Sequence, residues 1–153
     1  MSDSDEIIIR EVRVDQIIDL RWTILRNGLP RETAQFDGDN DPTTVHLAAF
    51  RADTLIACAT FLRRDYEDQP AWQLRGMAVR EDHQRGGLGT RLLDFAEAFL
   101  RRQNHSNLLW ANARVPAAGF YERRGWTIVS EPFEYPTAGP HVKIMKRIAP
   151  IVR

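Results

Sequence analysis

The run Gln84-Arg85-Gly86-Gly87-Leu88-Gly89-Thr90 offers the clearest chemistry in the chain. Glycines open backbone conformations closed to other residues and let a main chain approach a ligand closely. Successive N–H groups can then converge as an anion nest. The run passes directly into Leu88, Leu92, Leu93, Phe95, Ala96, Phe99 and Leu100, an apolar stripe at helical spacing. The first N–H groups of such a helix lack partners within it, and its dipole favours negative charge there. A diphosphate suits that place. A tight turn ahead of a helix is the plainer reading of the same glycines.

The flanking residues narrow the kind of diphosphate. A P-loop needs Lys and then Ser or Thr after its last glycine, to reach the outer phosphates and magnesium. Here Thr90-Arg91 follows Gly89. A dinucleotide fingerprint needs Gly-x-Gly-x-x-Gly, and Gly86-Gly87-Leu88-Gly89 lacks that spacing. The remaining common ligand of this kind is coenzyme A.

The elements that must position this loop follow from periodicity. Ile7 to Ile9 with Val12 predict a first strand. Asp15 reads as an N-cap, and Ile17, Ile18, Leu20, Ile24 and Leu25 predict a helix stopped by Gly28. Pro30 to Pro42 is a polar loop or a loop with a short helix. Leu47–Phe50 and Leu55–Arg63 read as a hairpin about Arg51-Ala52-Asp53, and Trp72 to Val79 as the strand before the glycine loop. After the long helix, Leu108–Ala111 is a buried strand. Pro116 suits the first turn of a short helix through Phe120 and Tyr121 to Gly125. Trp126–Val129 and Val142–Met145 are the last strands, joined by a loop holding Pro132, Pro136, Gly139 and Pro140. This order predicts an α+β (α/β) protein with a mostly antiparallel sheet.

Composition sets the frame. A chain of 153 residues fits one domain, 1–153, with a hydrophobic core of its own. Lys plus Arg and Asp plus Glu each number 21, and this balance speaks against a nucleic-acid partner. The short clusters Arg101-Arg102 and Arg123-Arg124 fall on predicted helices as solvated faces. The single cysteine, Cys58, lies in an apolar run and reads as a small buried hydrophobe. Met1 to Glu6 is acidic and polar, unlike a signal peptide, and no apolar run is long enough to span a bilayer. The expectation is a cytoplasmic protein without a membrane partner. The four histidines and Cys58 show no metal-ligand spacing, so no metal is expected. Trp22, Trp72, Trp110 and Trp126 stand beside apolar neighbours, as core residues do.

Gln84, Gly87 and Gly89 match a signature of Gln or Arg, two residues, Gly, one residue, and Gly or Ala. Ala117, Phe120, Tyr121, Gly125 and Trp126 match a second, downstream pattern. On these two motifs the chain resembles the GNAT family of N-acetyltransferases, from about Ile7 to Arg147. Asp41, His46-Leu47, Asn112-Ala113-Arg114, Phe120-Tyr121, Pro140-His141 and Met145 further resemble the ElaA-type branch. The resemblance implies a GNAT-like mixed sheet flanked by helices, with acetyl-CoA as cosubstrate and an amine of a small molecule, peptide or lysine as acceptor. It leaves a homodimer open.

The resemblance also implies roles for residues. The pantetheine arm would pair with the strand at Met77, Ala78 and Val79, between the parallel strands Trp72–Val79 and Leu108–Asn112. A backbone N–H there would polarise the thioester carbonyl. Gln84, Arg85, Gly86, Gly87, Leu88, Gly89 and Thr90 would hold the diphosphate. Many members carry Asn seven residues before the tyrosine to contact coenzyme A; this chain has Arg114 there and Asn112 nearby. Tyr121 would donate a proton or hydrogen bond to the leaving thiolate; the plainer reading is a core tyrosine. His46, His141, Asp41, Glu32 or an ordered water are the candidates for the base. His83 flanks the loop, and His105 ends the long helix as a favourable cation. The acceptor pocket would draw on the first helix, the Pro30–Thr44 loop and the Phe133–His141 loop. Glu32, Asp37, Asp39 and Asp41 could attract a cationic amine, or form a solvated acidic loop. A non-catalytic acyl-CoA binding or sensing module is the alternative from another class.

Overall fold

The computed structural model describes residues 6–136 and 138–150. The acidic run at 1–5 lies outside the described residues. The chain forms two compact units, one of the residues up to Leu62 with Gly76–Ala98, the other of Arg63–Arg75 with the residues from Phe99 onward.

In the first unit, strands β1 (Ile7–Glu11), β2 (Val45–Arg51) and β3 (Thr54–Arg63) run antiparallel in sequence order. The C-terminal half of β4 (Trp72–Val79) lies beside β3. The β2–β3 turn works because Ala52 takes a positive φ of 52°. Helix α1 (Ile18–Leu25) packs on this sheet. Ile17 just before it and Leu20 within it meet Ala48 of β2, Cys58 of β3 and Ala78 of β4 in one buried cluster. Small residues at those three strand positions let the helix approach closely.

Asp15 is not the N-cap. A 3-10 turn, Val14–Gln16, precedes α1, and the Arg13 N–H donates to Gln16 Oε1 at 3.0 Å. Asp15 instead pairs with the exposed Arg13 guanidinium at 3.1 Å. Two ring-closing interactions with Arg13 therefore start the segment one turn earlier than a single Asx cap would. Gly28, at φ 84°, lies past the end of α1 as expected.

The second unit holds the N-terminal half of β4, β5 (Leu108–Arg114), β6 (Thr127–Ile128), β7 (Phe133–Tyr135) and β8 (Gly139–Arg147). β5 runs parallel to β4 and antiparallel to β8, and β8 also takes β6 and β7 antiparallel. The β4–β5 register covers only Trp72, Leu74 and the residue between them, against Leu109 to Ala111. Helix α2 (Leu88–Arg101) enters this unit at its C-terminal end, and α3 (Ala118–Glu122) follows a 3-10 turn, Val115–Ala117.

The segment read as an irregular loop is a hairpin. Phe133 pairs with His141 and Tyr135 with Gly139. Its strand is three residues long and its partner contains Pro140, so alternation was too brief and too interrupted to register. His105 does not cap α2, which ends at Arg101. Its Nε2 meets Ala71 O at 3.1 Å and its ring stands edge-on to Trp72. The arginine clusters lie mostly past the helix ends. Arg101 donates to Ala149 O, and Arg124 donates to Phe120 O while lying over the Phe120 ring. The pairings make a mixed, mostly antiparallel sheet with helices packed on it, the α+β class read from the sequence.

Candidate active site

The end of β4 and the loop after it form one continuous surface of the first unit. The Arg80 N–H donates to Ile56 O of β3 at 2.9 Å. Alternation along a strand then turns the Ala78 N–H toward β3 and those of Met77 and Val79 toward the opposite edge. A 3-10 turn, Glu81–His83, leads into the loop, and Gln84 Nε2 ties back to Val79 O at 2.9 Å.

Arg85 and Gly87 both have left-handed backbones, φ 69° and 81°, on either side of Gly86. That alternation is the geometry of an anion nest. A positive φ at Arg85 is strained for a side-chain-bearing residue, and such strain gathers at ligand sites. A Cβ on Gly87 would meet nothing within 4 Å, so no packing within the protein explains that glycine. The space above it is open. The Arg91 N–H donates to Gly87 O at 3.0 Å in the first turn of α2, the turn whose leading N–H groups a helix does not itself pair. Leu88 is buried and anchors the helix start, while Gln84 to Gly87 are exposed.

Beneath β4 lies a polar network that the sequence reading missed. Arg21 of α1 is fully buried and grips Asp39 with two bonds of 2.7 and 3.0 Å. It also donates to Ala34 O and Thr60 Oγ1, and its guanidinium lies over the Phe36 ring at 4.0 Å. Gly76, in β4 at φ 64°, touches this cluster: a Cβ there would fall 2.7 Å from Phe36 and 2.8 Å from Arg21 Nε. A signal existed. Arg21 is four residues after Ile17 and three before Ile24, on the apolar stripe itself.

The same network removes His46 from the candidates for the base. His46 Nε2 faces the Asp39 carbonyl at 2.9 Å, which can only accept, so Nε2 carries the proton. Nδ1 then accepts from the Thr60 hydroxyl at 2.9 Å. Both ring nitrogens are occupied, and burial holds the imidazole below its usual pKa. Asp41 Oδ1 is taken by the Thr43 N–H and hydroxyl. Asp39 is neutralised by Arg21 and is not free to attract a cationic amine. Cys58 is buried, with its thiol pushed up to about 12 by desolvation, so it is no nucleophile. His83 bridges Asp82 and Arg51 beside the loop. A cleft of about 750 Å³ is lined in part by Asp19, Thr23, Asn27, Leu55, Arg80 and Glu81. Asp19 is held there by Arg31 at 2.6 Å.

Asn112 and Tyr121 belong to the second unit. Asn112 Oδ1 is buried without a hydrogen-bond partner among the described residues. A buried acceptor of that kind is costly unless a ligand supplies a donor. Arg114 ends β5, exposed, opposite His141 of β8. His141 is buried, its Nδ1 donating to Gly139 O at 2.9 Å and its ring against Tyr135. Tyr121 is packed edge-on between Phe120 and Trp126, at 5.2 and 5.5 Å, and burial pushes its phenol up to about 12. Trp72 and Trp126 are core residues as expected, whereas Trp22 and Trp110 are half-buried, with indole N–H groups on Leu29 O and Arg64 O. Among the described residues no His, Cys, Asp and Glu cluster could hold a metal ion, and no helix is long and apolar enough to cross a membrane.

Comparison with known proteins gives the family and the fold. An uncharacterized N-acetyltransferase, YitI, of Bacillus subtilis (strain 168) is 29% identical over 143 residues, covering 92% of this chain and 95% of that one. An aminoglycoside 6'-N-acetyltransferase solved with coenzyme A shares the fold at a TM-score of 0.74 and 18% identity, over 95% of this chain and 99% of its own. Escherichia coli ElaA does so at 0.72 and 18%, over 93% and 100%. The description "Acetyltransferase (GNAT) family" matches residues 14–126, most of the chain and both motifs, and the chain therefore belongs to the GNAT family of acetyltransferases.

Proposed function

We propose that residues 1–153 make one N-acetyltransferase domain that moves an acetyl group from acetyl-CoA to an amine by direct attack, in the cytoplasm. The observation that carries this reading is the nest at Arg85 and Gly87, open above Gly87 and followed by the first turn of α2. Gln84 to Thr90 hold the diphosphate through backbone N–H groups. Met77, Ala78 and Val79 lie along the pantetheine arm. The Val79 N–H, turned away from β3, would pair with the arm as with an added strand, and a backbone N–H of this segment stabilises the charge that develops on the thioester oxygen. Asn112 Oδ1 takes an amide N–H of the arm, which would satisfy its buried oxygen.

Tyr121 serves the leaving group. A phenol near 12 stays protonated through the working range. Full transfer to an ordinary thiolate of pKa about 8.5 would run uphill by roughly 3 to 4 units. Tyr121 therefore acts as a hydrogen-bond donor that lowers the energy of the departing sulfur, rather than as a complete proton source. With both substrates held together, much of the acceleration is positional.

Calorimetric titration with acetyl-CoA tests the reading, with wild type beside Gly87→Glu. The expected result is binding by wild type and loss in the variant, with thermal melts confirming that the variant is folded. Absence of binding by the wild type would overturn the proposal.

A further inference from the structure

His83 stands one residue before the loop, and a distant hairpin reaches the loop through it. Arg51 closes β2 at the β2–β3 turn, opposite Thr54. Its Nη1 lies 3.2 Å from His83 Nε2. A guanidinium only donates, so Nε2 accepts and the ring proton sits on Nδ1, which donates to Asp82 Oδ1 at 2.8 Å. The imidazole is thus neutral and held on both sides. It is also mostly covered, with 16% of its side chain exposed against 66% for Asp82. The charged groups about it are Arg51, Asp82 and Arg80, whose Nε lies 3.7 Å from the same carboxylate oxygen. Arg51 Nε is buried without a hydrogen-bond partner among the described residues, which makes the bond to His83 costly to lose.

This contact bears on the nest. The His83 carbonyl oxygen lies 3.7 Å from where a Cβ on Gly86 would stand, so the residue that Arg51 holds lies against the middle glycine of the nest. The loop has little else to fix it. Gln84 to Gly87 are exposed, and a Cβ on Gly87 would touch nothing. Arg85 keeps a left-handed backbone at φ 69°, a state that persists only where its surroundings impose it. Two side chains tether the entry to that state. Gln84 is tied to Val79 O at the end of β4, and His83 to Arg51 at the end of β2. All of these residues belong to the first unit.

We infer that His83 and Arg51 are positioning residues for the diphosphate. The pair holds the entry to the nest in its binding shape, so that the ligand does not have to order it. This deepens the proposed function and rests on it, since that reading gives the nest to the diphosphate. Neither side chain touches the ligand in this role. Arg51 acts through His83, and His83 through the backbone of 84–87.

Acetyl-CoA is titrated calorimetrically into wild type, His83→Leu, Arg51→Met, the double variant and His83→Gln. Each single loss of the contact should weaken binding about tenfold. Because the two residues act through one contact, the double variant should stay within about twofold of either single one. Glutamine keeps an acceptor for Arg51 and a donor for Asp82, so His83→Gln should stay within about threefold of wild type. Amide hydrogen exchange gives a readout that needs no ligand. In His83→Leu and Arg51→Met the amides of 84–90 should exchange faster, while those of β1, β3 and α1 stay as in wild type. The inference falls if these two variants bind like wild type, if their losses multiply in the double variant, or if His83→Gln is as weak as His83→Leu. It falls too if exchange accelerates throughout the unit, or nowhere. If acetyl-CoA fails to bind wild type, the proposed function fails separately, and exchange at 84–90 still decides whether the pair holds the loop.

Discussion

Arg21 and Asp39 form a bidentate ion pair with no solvent exposure of the arginine, and the pair sits directly under Gly76 of β4. The same carboxylate accepts from the Phe36 N–H at 2.8 Å, and the Phe36 ring covers the guanidinium. The loop between α1 and β2 is thus fastened to the underside of the strand proposed to bind the acyl donor. Asp39→Asn keeps the shape but removes the charge, leaving a buried cation uncompensated. The expected loss is about 3–5 kcal/mol, read by chemical denaturation. A loss below about 1 kcal/mol would mean that Arg21 finds water or another acceptor.

Gly76→Ala tests the strand from the other side. A Cβ would lie 2.7 Å from the Phe36 ring carbon and 2.8 Å from Arg21 Nε, on a backbone at φ 64°. Neither neighbour is a loose surface tip, since Arg21 is held by Asp39, Ala34 O and Thr60. The substitution should cost about 1–3 kcal/mol from overpacking, plus strain. It should also raise the KM for acetyl-CoA, because the displaced segment continues into Met77. A melt and a KM measured together separate this from simple unfolding.

The acid limb of stability should carry a signature of His46. Burial lowers its folded pKa, so the unfolded chain binds a proton before the native one does. Stability is then full above the unfolded value of about 6.5 and falls as the pH drops below it. His46→Asn should flatten that part of the curve while costing stability at neutral pH through the lost bonds to Asp39 O and Thr60. An unchanged slope between pH 6.5 and 5 would show that another group governs it.

The alkaline limb follows from Cys58. Its thiol is pushed up to about 12 in the fold, against about 9 when exposed, so the native state holds its proton longer. Between those values stability should fall as pH rises. Below them the native thiol should resist disulfide-exchange reagents at pH 8 and react only after denaturant is added. Rapid reaction of the native protein would contradict its burial.

Long periodic segments were legible. Leu88 to Leu100 spelled out α2, and the glycine spacing marked the loop, because each depends on local pattern. Phe133–Tyr135 was not, since three residues bounded by Pro132 and Pro136 carry too little alternation. The site's outer parts were readable because they consist of backbone and glycine. Its supports were hidden for the opposite reason. Arg21, Asp39 and Thr60 come together across 18 and 39 residues, and only tertiary packing makes an arginine on an apolar stripe tolerable. His46 looked like a base in sequence for the same cause: its occupied nitrogens are a fact of the fold, not of its neighbours.

Tyr121→Phe isolates the leaving-group step. The ring is packed by Phe120 and Trp126, and phenylalanine preserves that packing. Since the phenol is too weak an acid for full transfer, removing it costs a hydrogen bond rather than a proton. The expected fall in kcat is therefore about 10- to 100-fold, at or below the lower end for general acids. Acetyl-CoA affinity should stay within about twofold, because the group acts on charge that appears only as the thiolate leaves. A replacement of the thiol by a better leaving group should shrink the effect of the variant, since a more stable thiolate needs less help. If Tyr121→Phe instead weakens cosubstrate binding with kcat intact, the tyrosine is a packing residue, and the leaving sulfur draws its hydrogen bond from elsewhere.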